Sequence, residues 1–487
     1  MSCPMIQRVR SAFQAVAALL VACVSASAGA APLHWVPVGP PGNPSITAMA
    51  VGKADYVIPF PARPSLLYAS TTGAGVFRSA DAGLTWTSTG SGLPGDATAL
   101  ALRQVFLLGV DTGSYLTTVF AGTAGGVYRL APGATSWVAS NTGLTSLDVR
   151  ALAVSGNGVV LSGNSGIAYA GTAGGLFAST DGGITWVPKT AGLPSGSDGA
   201  ITALAADPAT PSTLYTGTAA GLFKSIDGGE TWSKLDTGGS FKISVSTIAV
   251  DPLVPSRVFV AGIASPPCYP LCLAPSFMTS LRSLDGGATW STIGGLAGNF
   301  VRAFAATSTL PSRVFAGTAG SGVFESSDGG VTWAAFNDGL GSASVSSLVI
   351  DPVLPSLVFA GTAQGVFCAP LGQVAPTCAT SGQTLCLNGH RFSASVVWRN
   401  ASHVTGGGQA LSVTDNTGAF WFFDPTNLEL AVKILDGRSV NGKYWVFFGS
   451  LTNVEFTLTV TDTLTGAVKT YLNPQGQLAS GADTSAF

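Results

Sequence analysis

One octapeptide recurs through the first two thirds of the chain. It reads SADAGLTW (79–86), STDGGITW (179–186), SIDGGETW (225–232), SLDGGATW (283–290) and SSDGGVTW (326–333). A catalytic centre is rarely built five times over, while a structural turn often is. A second motif recurs seven times: LLYAST (66–71), VFAGT (119–123), AYAGT (168–172), LYTGT (214–218), VFVAG (258–262), VFAGT (314–318) and VFAGT (358–362). Its copies stand 44 to 56 residues apart. Each follows an alternating apolar segment such as ITAMAV (46–51), VRALAV (149–154) or VRAFAA (301–306), and precedes a third such as GLFKS (221–225). The Trp that closes the octapeptide opens a fourth segment, as in TWVPK (185–189). The unit is four short strands with Gly-rich turns, and a period of about 45 residues is that of a propeller blade. A lone unit cannot bury both faces of its sheet, so the units must stack and the array must close.

The seventh unit tells how it closes. It keeps three strands, ending GVFCAP (365–370), but has neither octapeptide nor Trp strand. LHWVPVG (33–39) looks like TWVPKT without its turn, and is expected to supply the missing outer strand and leave no open sheet edge at the seam. The expected fold is all-β: a seven-bladed β-propeller over residues 33–370, closed by an N-terminal strand and followed by a small antiparallel β-sandwich. The octapeptide is similar to the Asp-box, or BNR, repeat of sialidases, sortilin-type receptors, xyloglucanase-type hydrolases and photosystem assembly factors. The likeness covers residues 34–370 and implies that each box is the turn between a blade's third and fourth strands. Asp81, Asp181, Asp227, Asp285 and Asp328 are then structural carboxylates that accept backbone N–H groups. Trp86, Trp186, Trp232, Trp290 and Trp333 pack between sheets. The second blade has APGATSW (131–137), which keeps Trp137 without the Asp, and its turn should be looser. Asp207-Pro208, Asp251-Pro252 and Asp351-Pro352 read as ordinary turn starts.

Residues 1–28 have the form of a secretory signal peptide: Arg8 and Arg10, the apolar run AFQAVAALLVACV (12–24), then Ala26-Ser27-Ala28. LVAC (20–23) offers an alternative, a lipid anchor at Cys23 of an outer-membrane lipoprotein. No other apolar run approaches the roughly 20 residues of a membrane helix. The expected location is secreted or cell-surface, where Cys268–Cys272 and Cys378–Cys386 are local pairs that an oxidising compartment would bridge. Cys368 is left as a buried thiol, and no spacing supports a metal site.

Beyond residue 370 the period stops. LGQVAPTCATSGQT (371–384) reads as a linker, and residues 385–487 as short alternating strands of a β-sandwich. LCLNGHRF, FWFFDP, VKILDG and LTVTDTLTG resemble a module found at the C-terminal end of varied secreted bacterial proteins. Phe420 to Phe423 form an aromatic run that is either core and interface or a ligand platform.

Charge excludes some functions. Only 9% of residues are charged and the net charge is −2, so no basic stripe exists to hold a nucleic acid. A propeller glycosidase needs two facing carboxylates, or a Tyr nucleophile with helpers. Asp96, Asp148, Asp198 and Asp338 lie in loops entering first strands, on the face opposite the boxes. The second-to-third-strand loops of that face read TAGG (123–126, 172–175), TAAG (218–221) and TAQG (362–365), with no acid or base. Arg78, Arg129 and Arg282 lie in or beside third strands, the Arg-Ile-Pro signature of sialidases is absent, and His34 is the only propeller His. A Ser-His-Asp site thus lacks its base. One loop breaks the monotony: IASPPCYPLCLAPSFMT (263–279), which would present Tyr269 and Phe277. The expectation is a monomeric, exported, non-catalytic binding or scaffold protein without cofactor, presenting a propeller face to a glycan or protein. The alternatives are a glycoside hydrolase of sialidase or xyloglucanase type and an extracytoplasmic assembly factor.

Overall fold

A computed structural model describes residues 34–53, 65–108, 113–156, 158–159, 166–238, 241–265, 275–309, 312–352, 356–371, 378, 381–388, 391–437, 443–462 and 467–487. The leader and Cys23 lie outside them, as do Cys268, Tyr269 and Cys272. The chain divides into two compact units after Leu371.

Among the described residues the first unit consists of seven antiparallel sheets. Their innermost strands are Ile46–Lys53, Ala99–Leu108, Val149–Ser155, Ile201–Ala206, Lys242–Val250, Val301–Ala306 and Val345–Ile350. Each adjoins the next, and the last adjoins the first, so the ring is closed. Second strands such as Leu214–Thr218 and Val314–Thr318 are buried at every position. They lie between two neighbours within the sheet and between two sheets. That explains why their sequences are apolar or small throughout rather than alternating. A feature outside the repeat pattern is Gly158–Val159, which pairs in parallel with Ala99–Leu108 at the inner edge of the second sheet.

The N-terminal segment completes the seventh sheet. Val36 pairs with Cys368 and Pro37 with Phe367, while Val38 N–H donates to the Val366 carbonyl at 2.8 Å. Trp35 is fully buried, 5.3 Å from the Phe336 ring, and its Nε1 donates to the Phe336 carbonyl. Its backbone N–H reaches the Asp338 carbonyl at 2.8 Å. The same seam bond recurs from Trp137 to Ser91, from Trp186 to Thr142 and from Trp232 to Ala191, each at 2.9 Å. Trp35 therefore occupies the place of a box tryptophan, and the ring's closing joint is built like its internal ones.

The second unit holds two five-stranded sheets. One runs Thr384–Leu387, Phe392–Arg399, Glu455–Asp462, Val468–Asn473, with Thr405–Gly407 on the flank of Phe392–Arg399; the other runs Gln409–Thr414, Thr417–Trp421, Leu430–Gly437, Lys443–Ser450, Ser480–Asp483. Phe392, Val396 and Phe456 of the first pack with Phe420, Ile434 and Val446 of the second in one core. Cys378 and Cys386 are bridged. The aromatic run divides by parity: Phe420 and Phe422 are core, while Phe423 is half exposed and lies 4.7 Å from Trp398.

Candidate functional site

The boxes form five superimposable cages. In the third sheet Ser179 Oγ donates to Asp181 Oδ1 (2.7 Å) and accepts Gly183 N–H (2.8 Å), while Thr185 gives both N–H (3.0 Å) and Oγ1 (2.6 Å) to the same carboxylate. The pattern repeats at Asp81, Asp227, Asp285 and Asp328. Three or four donors converge on each carboxylate, which at Asp181, Asp227, Asp285 and Asp328 favours the charged form. The Thr289 hydroxyl and amide and the Ser283 hydroxyl hold Asp285 down at about 2. Thr231 and Ser225 lower Asp227 in the same way, and Thr332 with Ser326 lowers Asp328. At Asp181 desolvation pushes upward, but Thr185 and Ser179 outweigh it. The sequence reading anticipated the accepted N–H groups but not the Thr that closes each cage. Trp186 and Trp232 are buried, and Trp86, Trp290 and Trp333 partly so; the indole N–H of Trp232, Trp290 and Trp333 reaches the carbonyl of its own box. In the second sheet the Asp-free turn is closed by Ala134 N–H to the Ala131 carbonyl, and Trp137 Nε1 turns instead to Thr89 Oγ1 at 2.9 Å.

The three Asp-Pro carboxylates are buried. Asp251 accepts the N–H groups of Leu253 and Val254, the Arg257 guanidinium, and Ser312 Oγ from the next sheet at 2.8 Å. Asp351 likewise takes the Ser65 hydroxyl across the ring's closing seam. These acids tie sheets together as well as starting turns.

The opposite face is built from the hairpins between second and third strands and the loops entering innermost strands. In the hairpins a Thr hydroxyl donates to the carbonyl three or four residues on, as Thr172 to Gly175 and Thr318 to Gly322. That leaves the hydroxyl engaged in the turn. Four acids of this face each have a partner of their own. Asp96 accepts Gly73 N–H (2.7 Å), Asp148 pairs with Arg150 (2.6 Å), Asp198 with Lys242 (3.1 Å), and Asp338 with His34 (3.1 Å). Of the three third-strand arginines, Arg282 turns toward the boxes and donates to the Gly329 carbonyl.

The face has a cleft of about 360 Å³ between the fourth and fifth sheets, lined by Gly221, Lys234, Asp236, Gly238, Phe241 and Lys242 among others. Phe277, singled out from the fifth unit's long loop, is about half exposed and meets Phe241 edge to face at 5.7 Å. Met278 and Ile263 beside it are also exposed. Sequence reading named Phe277 and did not name Phe241, Lys234 or Lys242. The only signal for them was an oversized loop in the same unit.

No protein-family model and no curated protein sequence matches the chain. Solved structures share the fold, among them two extracytoplasmic or enzymatic propellers. One is the extracellular domain of a protein described as the one-component system BT4673 from B. thetaiotaomicron (TM-score 0.52, 12% identity, covering 89% of this chain and 59% of that one). The other is an ancestral GH74 enzyme (TM-score 0.51, 16% identity, 91% of this chain and 64% of that one). This chain spans about three fifths of the length of each. At such identities the likeness establishes a β-propeller fold alone. No helix among the described residues is long and apolar enough to cross a membrane.

Proposed function

We propose that this is an exported, non-catalytic binding protein whose propeller, of the Asp-box type, offers a glycan the face opposite its boxes. The observation that carries this reading is the cleft between the fourth and fifth sheets. There Phe241, whose ring meets Phe277, lines the cleft with Lys234, Lys242 and Asp236. Sugar rings present both apolar C–H faces and hydroxyls, and a site with apolar walls and a few polar groups suits them. The leader-like residues 1–28 support export, and the shared fold with an extracellular domain agrees with it.

A second reading, glycoside hydrolysis, is favoured by one detail. Asp236 lines the cleft, and Asp198 holds Lys242, which lines it too. The fold shared with a GH74 enzyme agrees with that reading.

The test is a panel of neutral and acidic polysaccharides offered to the purified chain, scored for binding and for release of reducing ends. Phe241→Ala is expected to weaken binding about tenfold, the loss of one well-packed aromatic contact. If no polymer is retained, or Phe241→Ala binds as the parent does, the binding site is elsewhere or absent. Turnover that disappears in Asp236→Asn establishes the hydrolase instead.

A further inference from the structure

Six of the seven innermost strands share an irregularity in their first half. In these six the register slips at one residue: at the second residue in five, Thr47, Arg150, Thr202, Arg302 or Ser346, and at the fifth, Ser246, in the longer strand Lys242–Val250. Such a bulge re-aims the extra side chain. In the second sheet Thr98 holds the corresponding place just before Ala99.

Five of these seven positions are hydroxyls, and each donates to the neighbouring sheet. Thr47 reaches the Ala97 carbonyl (2.6 Å), Thr98 that of Val149 (2.9 Å), Thr202 that of Val245 (2.5 Å), Ser246 that of Val301 (3.3 Å), and Ser346 that of Ile46 (2.6 Å). The belt is interrupted at the third and sixth sheets, where Arg150 and Arg302 replace the hydroxyl and are exposed. Arg150 has its own acid, Asp148. The Arg302 side chain makes no hydrogen bond or ion pair among the described residues. A Thr there would serve the fold, as it does elsewhere in the ring; an exposed guanidinium does nothing for the seam. Only 9% of the residues in this chain are charged, and a cation without an acid at this place is free to take one from outside.

We infer that the glycan proposed above is an acidic one, a uronate polymer, whose carboxylate is taken by Arg302 at the start of the sixth sheet's innermost strand, with Arg150 as a secondary cation. The inference rests on the glycan-binding reading and adds the ligand's charge to it. A guanidinium presents a planar fork that matches a carboxylate in two parallel hydrogen bonds. Lys234, on the same face, adds positive charge near Phe241, while Lys242 beside it is held by Asp198.

Polygalacturonate and its carboxyl-reduced form share a backbone and differ in charge, so the pair isolates the carboxylate. The intact chain is expected to bind the polyuronate about tenfold more tightly than the reduced polymer, the worth of one charge-assisted contact. The preference should shrink as salt rises. Arg302→Gln should abolish it while leaving the reduced polymer's affinity unchanged; Arg150→Gln should lower it less, because Asp148 already occupies that guanidinium. Arg302→Thr should abolish it too, and should melt no lower than the parent, since the hydroxyl can rejoin the belt. Equal binding of both polymers, or a preference that survives both Arg302 substitutions, overturns the inference and leaves the glycan reading standing. Binding of neither polymer overturns both. Arg302-dependent binding of polyglutamate with no binding of either polysaccharide overturns both as well, and identifies an acidic protein partner.

Discussion

Gly192 shows what a single residue must do at a seam. Its φ is +89°, and a Cβ there would lie 2.1 Å from the Trp232 carbonyl oxygen of the next sheet. Gly143 stands in the same relation to Trp186, at 2.0 Å. The residue just before each glycine accepts the tryptophan N–H, so the chain passes its neighbour at a distance that only glycine permits. Gly196, nearby in the same loop, also has positive φ (+66°) but faces open space. Gly192→Ala is therefore expected to destabilise the protein by about 2–5 kcal/mol, strain and backbone clash together. Gly196→Ala should cost only about 1–2 kcal/mol, the left-handed penalty alone. Denaturant melts of the two variants side by side check this. Equal losses would mean that backbone conformation, and not the close approach, is what the glycine serves.

At the scale of the element, the closing strand is the informative case. Val36–Pro37 contributes a two-residue pairing, too little to hold a strand by itself. What anchors it is Trp35, fully buried against Phe336 and bonded to two carbonyls of the sixth sheet's outer strand and exit loop. Trp35→Ala is expected to cost about 3–5 kcal/mol. It should also raise amide exchange in Gly365–Pro370, the strand that Val36 and Pro37 cover. A loss of stability without faster exchange in that strand would show the indole to be a core filler and not a latch. The closing strand was legible in the chain because its text repeats the box strand. The inner-strand bulge was not. VRAFAA reads as plain alternation, and only pairing with Val314–Thr318 reveals that Arg302 is the extra residue.

For the whole molecule, the five cages make acid the natural probe. Four of their carboxylates titrate lower in the folded state than in the unfolded chain, Asp285 at about 2 and Asp181, Asp227 and Asp328 lowered likewise. As pH falls through about 4, the unfolded chain binds protons that the folded one refuses, so the equilibrium shifts toward unfolding. Thermal melting should be level above about pH 5 and fall between about pH 4 and pH 2. Asn at the box positions should flatten that fall; a slope unchanged by those substitutions would place the acid sensitivity outside the cages. By itself the sequence determined the order of the four repeated strands in each sheet, the box turns, the closing strand and the second all-β unit. All of these follow from local text repeated at a fixed period, which each copy reads independently. Only the tertiary structure decided that Asp251 and Asp351 take hydroxyls from the next sheet, that Phe241 meets Phe277 across a seam, and that Arg302 stands exposed where five counterparts fold onto a neighbour. Those outcomes depend on which side chains two different sheets bring within bonding distance, and no single repeat carries that information.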